Sequence, residues 1–325
     1  MPHAIRFHET GGPDVLRWEP VEVGAPAADQ IRLRQTAVGL NYIDTYHRTG
    51  LYPVPKLPSG IGLEGAGVVE AVGEDVKDLK PGDRIAYASA PLGSYAESRL
   101  MPAGRVVKLP DGISDQTAAA MMLQGLTVQY LLRRTRRLQA GETILVHAAA
   151  GGVGLILCQW AKHLGATVIG TVGSEEKAAI AREHGCDHPI LYRSENFVDR
   201  VRDLTGGAGV PVVYDGVGKD TFMPSLDCLA PLGLMVSFGN ASGSVPPFDL
   251  GILSAKGSLF LTRPTLVTYT AKREDLVASA NDLFDVVDRG AVKITVNQTY
   301  PLRDAAQAHR DLEARKTIGS TILLP

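Results

Sequence analysis

The chain has 325 residues, enough for about two domains that each bury a core of their own. Its 33 Lys and Arg residues nearly balance 35 Asp and Glu residues, and the formal net charge of −2 argues against a nucleic-acid partner or attraction to an anionic membrane surface. The three cysteines, Cys158, Cys186 and Cys228, lack metal-binding spacing, and the N-terminus lacks a signal-peptide pattern, so we expect a reducing, cytoplasmic setting.

The first 125 or so residues contain short β-patterned runs separated by Pro and Gly turns. Examples are IRLRQTAVGL at 31–40 and EGAGVVEAVG at 64–73. Such a segment predicts a compact, largely antiparallel barrel rather than an alternation of strands and helices.

A strand-like run that ends in glycines, TILVHAAAGGVG, spans residues 143–154 and leads directly into a helix-like segment. Amides at a helix N-terminus have no partners within the helix, and glycines let a pyrophosphate lie against them. Gly151 and Gly154 match the second and third glycines of the G-x-G-x-x-G fingerprint, whereas Ala149 replaces the first. The segment predicts a nucleotide-binding turn; the alternative is that the glycines only allow close helix-to-strand packing. Three glycines, a His and a Gln interrupt the apolar run 144–161, which argues against a membrane span.

The strand-like segment at 167–172 indicates which dinucleotide is bound. NAD-binding units carry an Asp or Glu about 20 residues after the glycines, but no carboxylate stands at that point of this chain. Gly173 leaves room for a 2′-phosphate, Ser174 offers a hydroxyl and Lys177 a cation, so we predict NADPH rather than NADH. The alternative is that Ser174 is only a helix N-cap and Lys177 a solvated lysine, and the two glutamates between them count against a phosphate.

Strand-like and helix-like segments continue to alternate up to about residue 262. They predict a doubly wound sheet of about six strands that places its ligand at the carboxyl ends of the strands. The loops there are DGVG at 215–218, which contains Gly216, and FGNASG at 238–243, and both are expected to face the cofactor.

The remaining residues are predicted to form a helix, a strand, a second helix and a final strand, and we assign them to the first domain. The predicted catalytic domain therefore comprises residues 1–125 and 263–325, and residues 126–262 form the inserted dinucleotide-binding domain. We expect the active site in the cleft between the two.

The segment 41–84, together with HAAAGGVG, TVGSEEK and LMVSFGN, resembles the quinone oxidoreductases of the medium-chain dehydrogenase/reductase superfamily, a group that includes zeta-crystallin. The resemblance extends along the whole chain. It implies an α/β fold in which a barrel-like (GroES-like) catalytic domain carries an inserted doubly wound Rossmann domain. It also implies use of NADPH and a homodimer.

The same resemblance implies the positions of the site residues. Near the nicotinamide it places Asn41, Asp44 and Tyr46, and on the connecting helix Thr127 and Tyr130. At the pyrophosphate it places Gly152 and Val153, and at the adenosine phosphate Ser174, Lys177 and Tyr192, beside Gly173. The remaining cofactor contacts are Phe238, Gly239, Asn240 and Arg263, with Gly216 in the neighbouring loop.

The chain departs from the zinc-dependent alcohol dehydrogenases of this superfamily, which use Cys and a His-Glu pair as catalytic ligands and four clustered cysteines for a structural zinc. Leu63 stands at the His position of that pair, and no cysteine precedes Cys158, so we expect no metal. Alcohol oxidation without a Lewis acid is unfavourable. We therefore predict a small-molecule quinone acceptor, or a conjugated enone, because each spreads the incoming charge over its own π-system.

The predicted catalytic residues are Asn41, Tyr46 and Tyr52. Asn41 or Tyr46 is expected to donate a hydrogen bond to the acceptor's carbonyl oxygen. Tyr46 and Tyr52 are equally suited to stack on a planar substrate or to be ordinary half-buried tyrosines of the barrel. Asp44 is expected to orient backbone or ribose, Glu64 is interpreted as a turn carboxylate, and no proton donor can be identified.

Two alternative functions stay open at this point. One is an NADPH-dependent enone or alkenal reductase, which the same active site would serve. The other is an RNA-binding or structural role, as in zeta-crystallin-like proteins, although the near-neutral charge and the lack of an aromatic and basic motif argue against RNA.

Overall fold

A computed structural model describes residues 1–325, and the chain divides into two compact units. The first comprises Met1–Leu126, Thr270–Asp288 and Ile294–Pro325, and the second comprises Thr127–Tyr269 and Arg289–Lys293. The predicted domain limits were 125/126 and 262/263. The second unit thus extends further along the chain than predicted and includes one short later segment.

The first stretch of the chain contains mostly β-strands. These are β1 (His3–Phe7), β2 (Arg17–Pro20), β3 (Gln30–Leu40), β4 (Ser59–Gly60), β5 (Glu64–Val72), β6 (Arg84–Ala88), β7 (Ser98–Pro102) and β8 (Val107–Lys108), with helices α1 (Tyr42–Thr49) and α2 (Asp115–Ala119). Helix α1 begins where the Asn41 backbone N–H donates to the carboxyl of Asp44, 3.0 Å away, and it ends at Gly50, whose φ of 83° is left-handed.

The central stretch alternates strands and helices. It contains α3 (Met122–Tyr130), β9 (Thr143–Val146), α4 (Gly152–His163), β10 (Thr167–Val172), α5 (Glu175–Glu183), β11 (His188–Leu191), α6 (Phe197–Leu204), β12 (Val210–Asp215), α7 (Phe222–Leu226), β13 (Leu229–Ser237), α8 (Gly251–Ala255), β14 (Phe260–Thr262) and α9 (Leu266–Tyr269). Its six strands are parallel, in the order β11-β10-β9-β12-β13-β14. The predicted doubly wound sheet is confirmed, and the strand order reverses beside β9, where such sheets bind ligands.

The last stretch contains α10 (Arg273–Asp288), β15 (Val296–Pro301), α11 (Ala305–Glu313) and β16 (Ser320–Leu324). Strand β16 pairs antiparallel with β3, so the end of the chain joins the sheet built by its beginning. That sheet has the order β15-β16-β3-β5-β6-β8, with β7 also paired to β3, and a smaller sheet has the order β2-β1-β4.

Each unit has its own hydrophobic core. In the first, α11 packs through Ala305 and Ala308 against a cluster that includes Ile5, Phe7 and Leu323. This contact fixes the face of α11 that carries His309, which is fully buried. In the second, residues of the parallel sheet pack against α6, α7 and α8.

Candidate active site

The glycine turn of the second unit lies between β9 and α4, as predicted. Gly151 is the N-cap of α4, with φ −82° and ψ 173°. A Cβ added to Gly154 would lie 2.3 Å from the carbonyl oxygen of Ala148, so this glycine is required for close approach of the helix to the turn. The glycine turn therefore both allows close packing of α4 and leaves an open helix N-terminus. Gly152 and Val153 are the first residues of that helix.

The alanine at the first fingerprint position is accommodated by the neighbouring strand. Ala149 is fully buried, and its Cβ would lie 2.6 Å from a Cβ added to Gly170 in β10. Gly170 thus provides the space that the missing first glycine would have provided. The left-handed residue of the turn is Ala148, with φ 56°.

The residues predicted for the adenosine phosphate come together at the ends of β10 and β11. The Ser174 hydroxyl caps α5 and accepts from the Lys177 backbone N–H at 3.3 Å. A Cβ added to Gly173 would lie 2.9 Å from the hydroxyl of Tyr192, so glycine keeps this corner open. The two glutamates between Ser174 and Lys177 are exposed.

The loops after β12 and β13 also pack together. The Phe238 backbone N–H donates to the Asp215 carbonyl at 2.8 Å, and a Cβ on Gly239 would lie 2.3 Å from the Gly216 carbonyl oxygen. Asn240 continues the second loop, where a Cβ on Gly218 would lie 3.2 Å from the Asn240 Cα. These loops bring the predicted residues of this part together at the carboxyl edge of the sheet.

Three further predicted residues belong to the second unit. The Arg263 guanidinium donates to the Ser237 carbonyl at 2.7 Å, at the end of β13. Thr127 and Tyr130 lie buried on α3, and the Tyr130 ring stacks on Tyr269 with centroids 4.5 Å apart. Burial raises the pKa of the Tyr130 hydroxyl, which therefore stays protonated at neutral pH.

In the first unit, Asn41 is held by a buried polar group. Its Nδ2 donates to Glu64 Oε2 at 2.5 Å, and the other carboxyl oxygen of Glu64 accepts from the Leu123 backbone N–H at 2.7 Å. Asn41 Oδ1 accepts from Gln124 Nε2 at 3.3 Å. Glu64 is the first residue of β5 and is fully buried, so its interpretation as a turn carboxylate is wrong.

Asp44 is the end point of a second buried chain of hydrogen bonds. Its Oδ2 accepts from the Tyr95 hydroxyl at 2.8 Å, and that hydroxyl lies 3.2 Å from Nε2 of His309. Nδ1 of His309 lies 3.0 Å from the guanidinium of Arg48, which also binds Glu313 through both terminal nitrogens. Asp44 Oδ1 is buried and has no partner.

Burial dominates the electrostatics of this cluster. It raises the pKa of Asp44 to about 7 and that of Glu64 to about 8, because the charged carboxylates are desolvated. It lowers the pKa of His309 to about 3, with a further contribution from the nearby Arg48 cation. His309 is therefore a neutral imidazole at neutral pH.

Tyr46 on α1 and Tyr52 after it form an aromatic pair. Their ring centroids are 5.1 Å apart at an interplanar angle of 66°, and the Tyr52 backbone N–H donates to the Tyr46 carbonyl at 2.9 Å. Tyr46 is buried and Tyr52 is half-buried. The structure thus joins Asn41 to Asp44 at the start of α1, and Tyr46 on the same helix to Tyr52 after it.

No group of three or more His, Cys, Asp or Glu side chains is arranged to hold a metal ion. No helix is both long and apolar enough to cross a bilayer.

Comparison with known proteins identifies the family. Residues 152–281 match the zinc-binding dehydrogenase family, and residues 27–111 match the alcohol dehydrogenase GroES-like domain family. The chain is 56% identical to a quinone oxidoreductase of Pseudomonas aeruginosa and 51% identical to quinone oxidoreductase 1 of Escherichia coli, with 100% of each chain covered. The chain belongs to the quinone oxidoreductase family.

Solved structures of the family agree with the fold. The crystal structure of Escherichia coli quinone oxidoreductase complexed with NADPH superposes with a TM-score of 0.98 at 51% identity, covering 99% of this chain and 100% of that one. A 2-haloacrylate reductase of Burkholderia is 48% identical, with 100% of this chain and 99% of the relative covered. The predicted family and the predicted GroES-like plus Rossmann fold are confirmed.

The family motifs do not reveal four residues that complete the first-unit cluster: Arg48, Tyr95, Gln124 and His309. His309 lies 214 residues from Tyr95 in the sequence, so no local spacing connects them. The only sequence signal was the presence of Arg and His on helix-like segments, which is common on exposed helix faces.

Proposed function

We propose that this protein is an NADPH-dependent quinone oxidoreductase that needs no zinc. The observation that carries the proposal is full-length identity of 51–56% to quinone oxidoreductases, with a TM-score of 0.98 to one complexed with NADPH. NADPH, when bound, supplies a hydride from C4 of its nicotinamide. The predictions of activity and cofactor made from the sequence agree with these relatives.

The second unit provides the proposed cofactor site. The N-terminus of α4 at Gly152 and Val153 would hold the pyrophosphate, because the first amides of a helix have no partners within it and no side chain caps this one. Gly173, Ser174, Lys177 and Tyr192 would hold the 2′-phosphate. The other proposed contacts are Thr127, Tyr130, Gly216, Phe238, Gly239, Asn240 and Arg263. The fit is supported by Gly173, where a Cβ would lie 2.9 Å from the Tyr192 hydroxyl and fill the corner, and by Gly154, whose missing Cβ lets α4 pack closely on the glycine turn.

The first unit provides the proposed acceptor site. Asn41, Asp44 and Tyr46 would lie near the nicotinamide, and Tyr46 and Tyr52 would contact the ring of the acceptor. Asn41 is well suited to donate to the carbonyl oxygen, because Glu64 and Gln124 hold its amide in one orientation and occupy one of its two N–H groups. Loss of quinone turnover in Asn41→Ala but not in Tyr46→Phe would assign the donor to Asn41, and the reverse result would assign it to Tyr46.

A substrate panel tests the reaction. Benzoquinone, naphthoquinone and a simple alkenal are compared at fixed NADPH concentration by following NADPH oxidation. We expect kcat/KM to be highest for a quinone. A clear preference for the alkenal would favour the alternative, an enone or alkenal reductase, to which the 48% identical 2-haloacrylate reductase gives weaker support.

We also propose that the protein works in the cytoplasm as a homodimer. All three cysteines are free and buried, which suits a reducing compartment. Strand β14 ends the six-stranded sheet with one edge unpaired, and Phe260 on it is 60% exposed. Such an edge is suited to pair with a second copy. Sedimentation of the wild type and of Phe260→Lys would test this, with a shift toward monomer expected in the variant.

A further inference from the structure

The proposed reaction needs a proton as well as a hydride. A quinone that accepts a hydride becomes a hydroquinone only when its oxygen also gains a proton. In the first-unit cluster, one buried carboxyl oxygen has no hydrogen-bond partner: Oδ1 of Asp44. Its carboxyl is tied to Asn41, a residue of the proposed acceptor site, because Oδ2 accepts from the Asn41 backbone N–H at 3.0 Å.

The hydrogen-bond chain that ends on Asp44 has only one direction. Arg48 can only donate, so Nδ1 of the neutral His309 accepts and its Nε2 carries the hydrogen. Nε2 then donates to the Tyr95 oxygen, and the Tyr95 hydroxyl donates to Oδ2 of Asp44. The Asn41 backbone N–H donates to the same oxygen. Oδ2 therefore acts as an acceptor from two donors, and a proton on Asp44 belongs on Oδ1.

Arg48 also closes the chain to proton flow from the surface. A guanidinium does not give up its proton in proteins. The hydrogen-bond chain through His309 and Tyr95 thus orients the Asp44 carboxyl and does not reprotonate it. Glu64, the other buried carboxyl nearby, differs because both of its oxygens already accept hydrogen bonds.

We propose that Asp44 donates the proton of quinone reduction from Oδ1, and that Tyr95, His309 and Arg48 are positioning residues that keep Oδ2 an acceptor. This inference rests on the proposed function. The acceptor gains a hydride from the nicotinamide and a proton from Asp44; the Oδ1–H bond breaks and an O–H bond forms on the hydroquinone. Water then returns a proton to the Asp44 carboxylate, so NADPH, one proton and quinone give NADP⁺ and hydroquinone.

The charged and titratable groups around Asp44 agree with a neutral carboxyl at neutral pH. Burial raises its pKa to about 7, while the hydrogen bonds from Asn41 and Tyr95 lower it in part. Across the cluster, Glu64 is a second buried acid whose raised pKa of about 8 keeps it mostly neutral at this pH. The Arg48 cation lies beyond His309 and Tyr95, and Glu313 neutralises it. Because the acid form is the active one, turnover should fall as pH rises through about 7.

Asp44→Asn is the decisive variant. The amide keeps an acceptor for Tyr95 and Asn41 and presents an N–H where Oδ1–H would be, but it has no proton to transfer. At saturating NADPH we expect kcat for benzoquinone to fall about 100-fold, and the decrease above neutral pH to disappear. Infrared spectra without substrate give a second readout. Of the two protonated-carboxyl bands expected in the wild type, the one that titrates near pH 7 should be absent in Asp44→Asn and present in Glu64→Gln, and the one that titrates near pH 8 should show the reverse.

Tyr95→Phe tests the positioning role, with Tyr87→Phe as a matched control. Tyr87 is equally buried in the same unit, but its hydroxyl donates to Gln35. Removing the Tyr95 hydroxyl takes a donor from Asp44, so the fall in turnover should move to higher pH. Tyr87→Phe should leave the pH at which turnover falls unchanged.

The outcomes separate the two proposals. Wild-type kcat in Asp44→Asn, or an unchanged pH profile in that variant, would overturn the assignment of Asp44 while leaving quinone reduction intact. If no quinone supports NADPH oxidation by the wild type, the proposed function itself fails.

Discussion

The side-chain amide of Asn41 donates a hydrogen bond to the buried carboxyl of Glu64, with Nδ2 and Oε2 2.5 Å apart. Gln124 holds the other end of the amide, and Gln124 in turn accepts from the Ser320 hydroxyl at 2.7 Å. Three distant parts of the sequence therefore fix one amide. Such preorganised donors stabilise developing negative charge on a carbonyl oxygen without reorganisation cost.

Glu64→Gln should weaken this arrangement without changing its shape. The new amide offers one acceptor oxygen where two are used, so either Asn41 or the Leu123 N–H loses its partner. We expect kcat/KM for a quinone to fall about tenfold, the effect of one hydrogen bond. Glu70→Gln, which alters an ion pair with Arg32 at the surface, is the control and should change the rate little. Equal rates in the two variants would argue against the role of Glu64.

The same substitution should change how stability depends on pH. The pKa of Glu64 is raised to about 8, so the native state keeps a proton that the unfolded chain releases above the ordinary value of 4.5. Its contribution to the free energy of unfolding is complete below pH 4.5 and is lost as pH rises through about 8. The free energy of unfolding, measured with urea at several pH values from 4.5 to 8, should decline less steeply with pH in Glu64→Gln than in the wild type. Parallel curves would contradict the raised pKa.

The Arg48–Glu313 pair should contribute more to stability than a surface pair. Arg48 is 1% exposed, and its two terminal nitrogens bind the Glu313 carboxylate at 2.6 and 3.1 Å. Glu313→Ala leaves a buried cation without a carboxylate, and we expect a loss of about 3 kcal/mol in the free energy of unfolding. Glu274→Ala removes an exposed pair with Lys272 and should cost less than about 1 kcal/mol. Denaturant titration compares them, and similar losses would count against this account.

Gly154→Ala tests the helix-to-turn contact. The added methyl would lie 2.3 Å from the Ala148 carbonyl oxygen and 2.7 Å from Ala149 backbone atoms, so α4 must shift away from the turn. We expect a loss of about 1–3 kcal/mol in stability, together with weaker NADPH binding measured by fluorescence titration. Gly104→Ala, where an added Cβ meets nothing within 4 Å, serves as control. NADPH affinity equal to that of the wild type in Gly154→Ala would contradict the proposed pyrophosphate site.

Much of the second unit could be predicted from the sequence, because its signals are local. Each strand, turn and helix occupies a continuous segment, and the glycine turn and the N-cap Ser174 lie where their spacing placed them. The compensation of Ala149 by Gly170 was not predictable. It depends on two strands packing side by side, and no spacing rule encodes that contact.

The first-unit cluster shows the opposite case. Asn41 and Asp44 came from the family resemblance, but their partners come from β5, α3, α11 and the segment around Tyr95. Glu64 was interpreted as a turn carboxylate, whereas it opens a buried strand and its partners, Asn41 and Leu123, lie far from it in the sequence.

The most direct test of the account is the specificity for the cofactor. NADPH and NADH are titrated in parallel into the wild type, Lys177→Ala and the control Lys272→Ala, whose lysine is exposed in the other unit. We expect the wild type to bind NADPH more tightly than NADH and to reduce benzoquinone with it. Lys177→Ala should lose this preference while its NADH affinity is unchanged. Equal binding of both cofactors by the wild type, or an undiminished preference in Lys177→Ala, would contradict it.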